Sequence, residues 1–380
     1  MSITMRELLQ VEELQSAVVL AGTGGLDKTV CRIATIEKPF VDHPDYCYRV
    51  VKPHDVYFSM LYAFHDAKEK LHAELEFMRE TACSGLITHQ EDVGVLDADF
   101  LQKANAYHIP IVAISNEVGL TELTYHIIDL IIQDGITQIR TANLENLLCR
   151  DAAESDYHRQ ITELAGALEP FSQSVFVRTK ENIPLNSFQI AAEDFLLPLF
   201  DGMLYFINGK SEQQLKEKRS AFVRRLRSSS TSYRLGIGSI HESDALKRTL
   251  QESLHAFSFA DFLEKNSCHY TELREYRLLL QLNGSDCLRE WRDVFYVPLQ
   301  ESDLNTKLDL VHLMELYVKK DGDYTSISNE LFIHETTVRY RLNKIYEILG
   351  LHSSAQFYAE AKLAVYADWI LQDPLLRRLK

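Results

Sequence analysis

The first 130 residues alternate short apolar runs with stretches of helical periodicity. Val56–Ser59, Gly85–Thr88 and Ile109–Ile114 contain few or no polar positions, which is typical of strands buried on both faces of a sheet. Val18–Ala21 and Val30–Ile36 are two further predicted strands. The predicted helices are Ala67–Thr81 and Asp97–Tyr107, the second with Asp97 as its N-cap. Strands that alternate with helices predict an α/β domain with a largely parallel sheet.

A longer helical pattern follows, from Glu122 to Leu168. Its apolar stripe begins at Ile127 and Ile128 and continues through Ile131 and Ile132. Two interpretations remain open, a helix that docks on its own domain and a helix that pairs with a second copy of the chain. The spacing is too irregular for a sustained heptad repeat, so the pattern does not decide between them. We treat residues 131–169 as a connecting helix.

The remainder divides into a second α/β region and a helical end. The predicted strands are Ser174–Arg178, Met203–Ile207 and Tyr233–Gly236, and the predicted helices are Ser211–Arg227 and Ser243–Phe257, the latter capped by Ser243. After Pro298 the pattern is almost wholly helical, apart from a break at Asp321–Asp323. We therefore expect four segments: an α/β domain over 1–130, the connecting helix over 131–169, an α/β domain over 170–300 and an all-α domain over 301–380.

The segment 323–349 has the pattern of a helix-turn-helix. Asp323 or Thr325 can cap a short helix over Ser326–Leu331, and the next three residues form a tight turn. A second helix is predicted from about Glu335. One face of it is apolar, with the spacing of a buried stripe, at Val338, Leu342, Ile345 and Leu349.

The opposite face of the second helix has side chains that suit a DNA major groove. Arg339 can bond a guanine edge, Asn343 an adenine edge, and Thr336 can meet a thymine methyl group. Tyr340, with Thr337 and Lys344 on the flanks, can hold phosphates. The same pattern also fits an ordinary helical hairpin with a charged outer face.

A resemblance to a known family favours the helix-turn-helix. The run from His334 to Leu342, HETTVRYRL, together with Ile345 and Leu349–Leu351, resembles the C-terminal domain of the purine catabolism regulator (PucR-like, CdaR-like) family of bacterial transcriptional regulators. The resemblance implies a Fis-type helix-turn-helix that binds promoter DNA. A dimer is expected because each subunit of such a motif engages one half-site. It departs from the family pattern at Glu335, where a basic residue is common, and at Thr336, where Asn is usual. The implied DNA-binding residues are His334, Thr336, Thr337, Arg339, Tyr340, Arg341, Asn343 and Lys344.

The other two domains resemble the same family in the same order. Residues 5–130 resemble its N-terminal PucR domain at Arg6–Leu9, Leu20–Gly22, Gly25–Asp27, Val30, Ile36–Glu37, His54–Ser59 and Ile109–Ile111. This resemblance implies the sensing of a small-molecule effector. Residues 170–300 resemble a degenerate GGDEF-like domain at Tyr233–Ser239, Leu246–Ala256 and Tyr276–Leu280. The Gly-Gly-Asp/Glu-Glu-Phe loop of a nucleotide cyclase is missing from the sequence, so we expect no cyclase activity.

Composition restricts where DNA can bind. The formal net charge of −15 opposes binding of nucleic acid over the whole surface, so any contact must lie on a small, locally basic face. Six cysteines lie far apart without a C-x-x-C pair, which favours reduced thiols; they are Cys31, Cys47, Cys83, Cys149, Cys268 and Cys287. We identify no signal peptide and no apolar run of membrane-spanning length, and therefore expect a cytoplasmic protein without membrane contact.

We find no catalytic constellation, and we predict no enzyme activity, no cofactor and no metal site. His65 and His72, if helical, are about 10 Å apart along the axis, too far to chelate one ion. The turn Gly22–Gly25 lacks the spacing of a phosphate-binding loop. The sequence thus predicts a homodimeric regulator of catabolic or metabolic genes, with purine and nitrogen metabolism as one theme of the family. The alternative is a metabolite-binding or scaffolding protein with weakened DNA binding.

Overall fold

The computed structural model describes residues 3–11, 14–36, 39–42, 51–181, 183, 188, 190–230, 232–274, 276–306, 308–351 and 353–379. Two of the residues used above, Glu37 and Cys47, lie outside these ranges. The chain forms two compact units, Met1–Arg140 and Thr141–Lys380. The first is an α/β unit, and the second combines a mixed α/β part with an all-helical C-terminal part.

The first unit is built on a five-stranded sheet with the order β1-β5-β4-β3-β2. Its strands are β1 (Val18–Ala21), β2 (Arg32–Thr35), β3 (Asp55–Phe58), β4 (Gly85–His89) and β5 (Ile111–Ile114). Strands β2 to β5 are parallel to one another, and β1 pairs with β5 in antiparallel orientation. All five predicted strands are therefore present, and the expectation of a largely parallel sheet is confirmed.

Helices cover both faces of this sheet. They are α1 (Met5–Leu8), α2 (Lys68–Glu80), α3 (Ala98–Ala106) and the start of α4 (Leu120–Leu148). Tyr57 of β3 packs in one core with residues of α2 and α3, whereas its neighbours Val56 and Phe58 pack in the other with residues of α1 and α4. Because successive side chains of a strand point to opposite faces, a run without polar residues is needed here. Asp97 caps α3 as predicted, accepting a hydrogen bond from Phe100 N at 2.8 Å.

Gly22, in the glycine-rich turn after β1, has a packing role. Its φ is +72°, and a Cβ atom there would lie 1.9 Å from the carbonyl oxygen of Ile109. The Gly22 amide donates to Asn105 Oδ1 at 2.7 Å, and a 3-10 turn over Thr23–Gly25 follows. The glycine therefore permits close packing against the chain before β5.

The stretch predicted as one connecting helix is two helices, α4 and α5 (Glu154–Ala165). Leu123 and Ile127 of α4 are fully buried in the first unit, so the interpretation that this helix docks on its own domain is confirmed. Its opposite face exposes a row of large apolar side chains between 36% and 67% accessible: Tyr125, Ile128, Ile132, Ile136 and Ile139.

The second unit contains a six-stranded sheet with the order β11-β9-β6-β8-β7, and β10 pairs with β6. The strands are β6 (Phe171–Thr179), β7 (Phe195–Leu199), β8 (Gly202–Gly209), β9 (Tyr233–Ile237), β10 (His241–Glu242) and β11 (Ser267–His269). The pairings are antiparallel except that of β11 with β9. Three strands match predictions, and β7, β10 and β11 were not predicted.

Two helices pack with this sheet, α6 (Glu212–Ser229) and α7 (Leu246–Phe262). The predicted N-cap of α7 is wrong: the Ser243 hydroxyl donates instead to the carbonyl of Glu169. The Glu154 carboxylate of α5 accepts from the backbone amides of Leu246 and Lys247, and so caps α7 from a distant part of the chain. Tertiary packing supplies this acceptor, and local sequence gives no sign of it.

The rest of the chain is helical, as predicted. The helices are α8 (Tyr276–Leu280), α9 (Asp286–Thr306), α10 (Leu310–Lys319), α11 (Tyr324–Leu331), α12 (Glu335–Leu349) and α13 (Ser354–Gln372). Pro298 lies inside α9. One hydrophobic core runs through the sheet and these helices, so the division at residue 300 stays a prediction. No helix in the described ranges is long and apolar enough to span a membrane.

Candidate nucleic-acid interface

Local capping sets the two ends of the α11–turn–α12 motif. Asp323 is the N-cap of α11, and its carboxylate accepts from Thr325 N at 3.1 Å and from the Ser326 hydroxyl. The helix ends at Phe332, whose φ of +53° reverses the chain. His334 then caps α12, with Nδ1 accepting from Thr336 N at 3.2 Å. Of the two predicted caps for α11, Asp323 is therefore the correct one.

The apolar stripe of α12 is buried as predicted. Val338, Leu342 and Ile345 are fully inaccessible, and Leu349 is partly buried against the same core. Ser328 of α11, also buried, donates to the carbonyl of Thr325 at 2.9 Å. Together these contacts fix which face of α12 is left outside.

The opposite face of α12 is accessible. His334, Thr336, Arg339, Tyr340 and Asn343 are exposed, with Tyr340 62% accessible. Thr337, Arg341 and Lys344 are half-buried at its margins. The structure thus brings all eight predicted residues onto one end and one side of a single helix.

The basic groups of this face are largely unopposed. Within the described ranges, no carboxylate forms an ion pair with Arg339 or Arg341, and the Arg339 guanidinium lies 5.6 Å from the centre of the Tyr324 ring. Lys344 Nζ lies 3.0 Å from Glu347 Oε2, and this hydrogen bond raises the lysine pKa. An exposed i,i+3 pair of this kind is weak and easily exchanged for a phosphate.

The two departures from the family pattern have local partners. Thr325 donates its hydroxyl to Glu335 Oε1 at 2.7 Å, which joins the N-terminal ends of α11 and α12. A carboxylate in the first turn of α12 also complements the helix dipole. The Thr336 hydroxyl lies 2.8 Å from His334 Nδ1, so its methyl group is the part left to meet a base.

The turn presents a residue that sequence reasoning did not assign to the site. Phe332 is 94% accessible at the end of α11, next to the accessible face of α12. The sequence signal for this residue was its apolar side chain in the short turn between the end of α11 and the N-cap of α12. Ile333, the next residue of the turn, is partly buried against the core.

Two family models match parts of the chain. The model of the purine catabolism regulatory protein-like family matches residues 7–131, and the model of the PucR C-terminal helix-turn-helix domain matches residues 310–366. Among solved structures, the chain is similar to a regulator of polyketide synthase expression from Bifidobacterium adolescentis. The identity is 17%, over 60% of this chain and 98% of that chain, with a TM-score of 0.28. No curated protein matches the chain. Both terminal regions of the chain are therefore similar to domains of the PucR-like family of regulators.

Proposed function

We propose that the protein is a transcriptional regulator that inserts α12 into the major groove of promoter DNA. The observation that carries this proposal is the accessible face of α12, where Arg339 and Asn343 stand beside Tyr340. A short helix, a tight turn and a longer second helix give the docking geometry of this motif.

Each side chain of the face has a role that fits its position. Arg339 bonds a guanine edge, Asn343 an adenine edge, and the Thr336 methyl group contacts thymine. His334, Thr337, Tyr340, Arg341 and Lys344 contact phosphates or extend the readout from the margins of the helix.

Charge distribution supports a local interface. Residues 1–140 contain 11 Lys and Arg against 21 Asp and Glu, whereas α12 contains three basic and two acidic residues. The acidic first unit repels a phosphate backbone, and the basic groups of α12 attract it. Affinity for DNA should therefore fall steeply as salt is added.

We infer that two copies of the chain pair through the exposed face of α4. Tyr125, Ile128, Ile132 and Ile139 lie on that face at spacings of three, four and seven residues, which suits knobs-into-holes pairing of two helices. A helix-turn-helix of this class engages one half-site per subunit, so a second copy is the expected occupant.

The first unit is the proposed effector-binding part. Its four parallel strands end at one edge of the sheet, where open α/β sheets usually bind ligands. An effector changes transcription only if it binds two arrangements of the DNA-binding helices with different affinity. The middle part, over 170–300, is proposed as a degenerate GGDEF-like domain without cyclase activity. Catabolic genes, including those of purine or nitrogen metabolism, are the proposed targets.

Arg339→Ala tests the recognition helix. If Arg339 reads a base, specific binding weakens by about 1–3 kcal/mol while non-specific binding changes less. Lys344→Ala should weaken binding to all DNA sequences by a similar factor. It should also lower the slope of log affinity against log salt concentration by about one unit. Fluorescence anisotropy at several salt concentrations, on DNA selected by the wild-type protein, separates the two effects.

Arg289→Ala is the matched control, because Arg289 is an exposed arginine of α9 paired with Asp286 and its loss changes net charge equally. Affinity that is indifferent to both α12 substitutions would overturn the assignment of this helix. A failure of the wild-type chain to select any DNA would favour the alternative of a metabolite-binding or scaffolding protein.

Ile132→Glu tests the pairing of α4. Light scattering should show monomers at a concentration where the wild type is dimeric, because two buried carboxylates would face each other. Val294→Glu is the control: Val294 is 60% accessible on α9, outside the proposed interface. Dissociation by Val294→Glu and not by Ile132→Glu would place the interface on α9 instead.

A further inference from the structure

A cluster of histidine and carboxylate side chains lies at the edge of the first sheet. His89 is the last residue of β4, and Glu91 and Asp92 follow in a 3-10 segment over Gln90–Val95. His65 follows the adjacent parallel strand β3, after a 3-10 turn over Tyr62–Phe64. The carboxyl ends of parallel strands therefore bring these four side chains to one edge.

Their distances suit a single ion. One potential ligand atom each from His89, Glu91 and Asp92 lies within 4.8 Å of the other two. His65 Nε2 lies 4.0 Å from Asp92 Oδ1. Zinc bonds to nitrogen and oxygen are about 2.0–2.2 Å long, so ligand atoms around one ion lie about 3.5 Å apart. Small side-chain rotations would shorten the separations of these ligand atoms to about 3.5 Å.

A hydrogen bond to a backbone carbonyl fixes the tautomer of the His89 ring. Its Nε2 lies 3.0 Å from the carbonyl oxygen of Val118, which can only accept, so Nε2 carries the proton. Nδ1 is then left with its lone pair. The ring is buried and packs edge-to-face on Phe58, with centroids 5.2 Å apart. A hydrogen bond from the second nitrogen to a carbonyl is the usual support of a metal-binding histidine.

Asp92 is a nearly buried carboxylate with few partners among the described residues. Its side chain is 11% accessible, and within the described ranges the His65 imidazole is its one ion-pair partner. Buried charges are commonly paired or bound to a metal, and a solvated acidic loop would instead leave Asp92 in water.

We propose that the first unit binds a divalent transition-metal ion of the zinc class through His89, Glu91 and Asp92, with His65 as the fourth ligand. Two imidazoles and two carboxylates suit zinc better than calcium or magnesium, which prefer all-oxygen sites. Because Glu91 and His65 are exposed, the ion is reachable from solvent.

The test uses the full-length chain after treatment with a chelator and dialysis. Titration with Zn²⁺ against a chromogenic competitor should show one ion per chain, bound whether or not DNA is present. Asp92→Asn and Glu91→Gln should each weaken binding by at least about 10-fold, the loss seen even for residues that only support a ligand. Glu91 is exposed, so its substitution tests the site without disturbing the core.

Glu69→Gln is the matched control, an exposed carboxylate of α2 in the same unit, and should leave affinity unchanged. Co²⁺ in place of Zn²⁺ should give a spectrum without thiolate charge-transfer bands, because no cysteine belongs to the site. Equal Zn²⁺ affinity of the wild type, Asp92→Asn and Glu91→Gln would overturn the proposal, as would thiolate bands. Neither result depends on DNA binding, so a failure of the metal proposal can be distinguished from a failure of the proposed function.

Discussion

The two ends of the chain carry candidate sites of different construction. In the C-terminal part, all eight predicted DNA-binding residues lie between His334 and Lys344, on or beside one helix. In the first unit, the proposed metal ligands span His65 to Asp92 and meet only because β3 and β4 pair in parallel. A site on one helix face can be found from periodicity, whereas a site at a sheet edge depends on which strands become neighbours.

The stabilising contacts differ in the same way. The cap of α11 joins Asp323 to residues two and three positions ahead. In the first unit, the fully buried Asp55 carboxylate accepts from the Arg32 guanidinium of the neighbouring strand and from Lys52 N at 2.9 Å. The next three substitutions test whether the first unit depends on long-range contacts and the motif on local ones.

Removing the Arg32 guanidinium should have the largest effect. Arg32→Met leaves the buried Asp55 charge, among the described residues, with the Lys52 amide as its remaining donor, which should cost on the order of 3–5 kcal/mol. Hydrogen exchange followed by mass spectrometry should show faster exchange over 55–58 and 85–89, with DNA affinity of the folded fraction unchanged. The double variant Arg32→Met/Asp55→Asn should recover part of the loss; a double variant as unstable as the single one would contradict this account.

Leu342→Ala should come next. Leu342 is fully buried in the stripe of α12, and truncation of such a side chain costs about 3 kcal/mol. Exchange should accelerate over 324–349 and not over 55–58, and specific DNA affinity should fall with it. Leu363→Ala on α13 is the control, since that side chain is 38% accessible, and it should cost far less. Equal losses from the two would show that burial is not what positions α12.

Asp323→Ala should have the smallest effect. Loss of an N-cap costs about 1 kcal/mol of stability. Asp323→Asn should retain most of that stabilisation because the amide oxygen still accepts a hydrogen bond. Exchange at the first turn of α11 reports the change directly. If Asp323→Ala destabilised the motif as much as Leu342→Ala, local capping would be a poor description of it.

Sequence patterns predicted every strand of the first sheet and the helix-turn-helix with its buried stripe. They failed where the partner is distant in sequence. Ser243 has the local signature of a cap, yet the acceptor that α7 uses is Glu154, and strand β7 was not recognised. The helical pattern from 122 to 168 did not indicate the break between α4 and α5 because residues 149–153 contain neither glycine nor proline.

The proposed metal site shows the same limit. His89, Glu91 and Asp92 at the end of a buried strand were a visible signal, but nothing local connects them with His65. His72, seven residues after His65, instead has its Nε2 3.2 Å from a carboxylate oxygen of Asp97, the N-cap of α3.

For this protein, the amino-acid sequence by itself determined the helix-turn-helix. Its caps, its buried stripe and its accessible face all depend on residues within about a turn or two of one another along the chain. Tertiary structure decided that Thr325 bonds Glu335 and that one face of α4 docks while the other stays exposed. It also decided that, among the described residues, Arg339 and Arg341 have no acidic ion-pair partner. These outcomes depend on contacts between elements. The spacing of residues along a single element does not specify the geometry of such contacts.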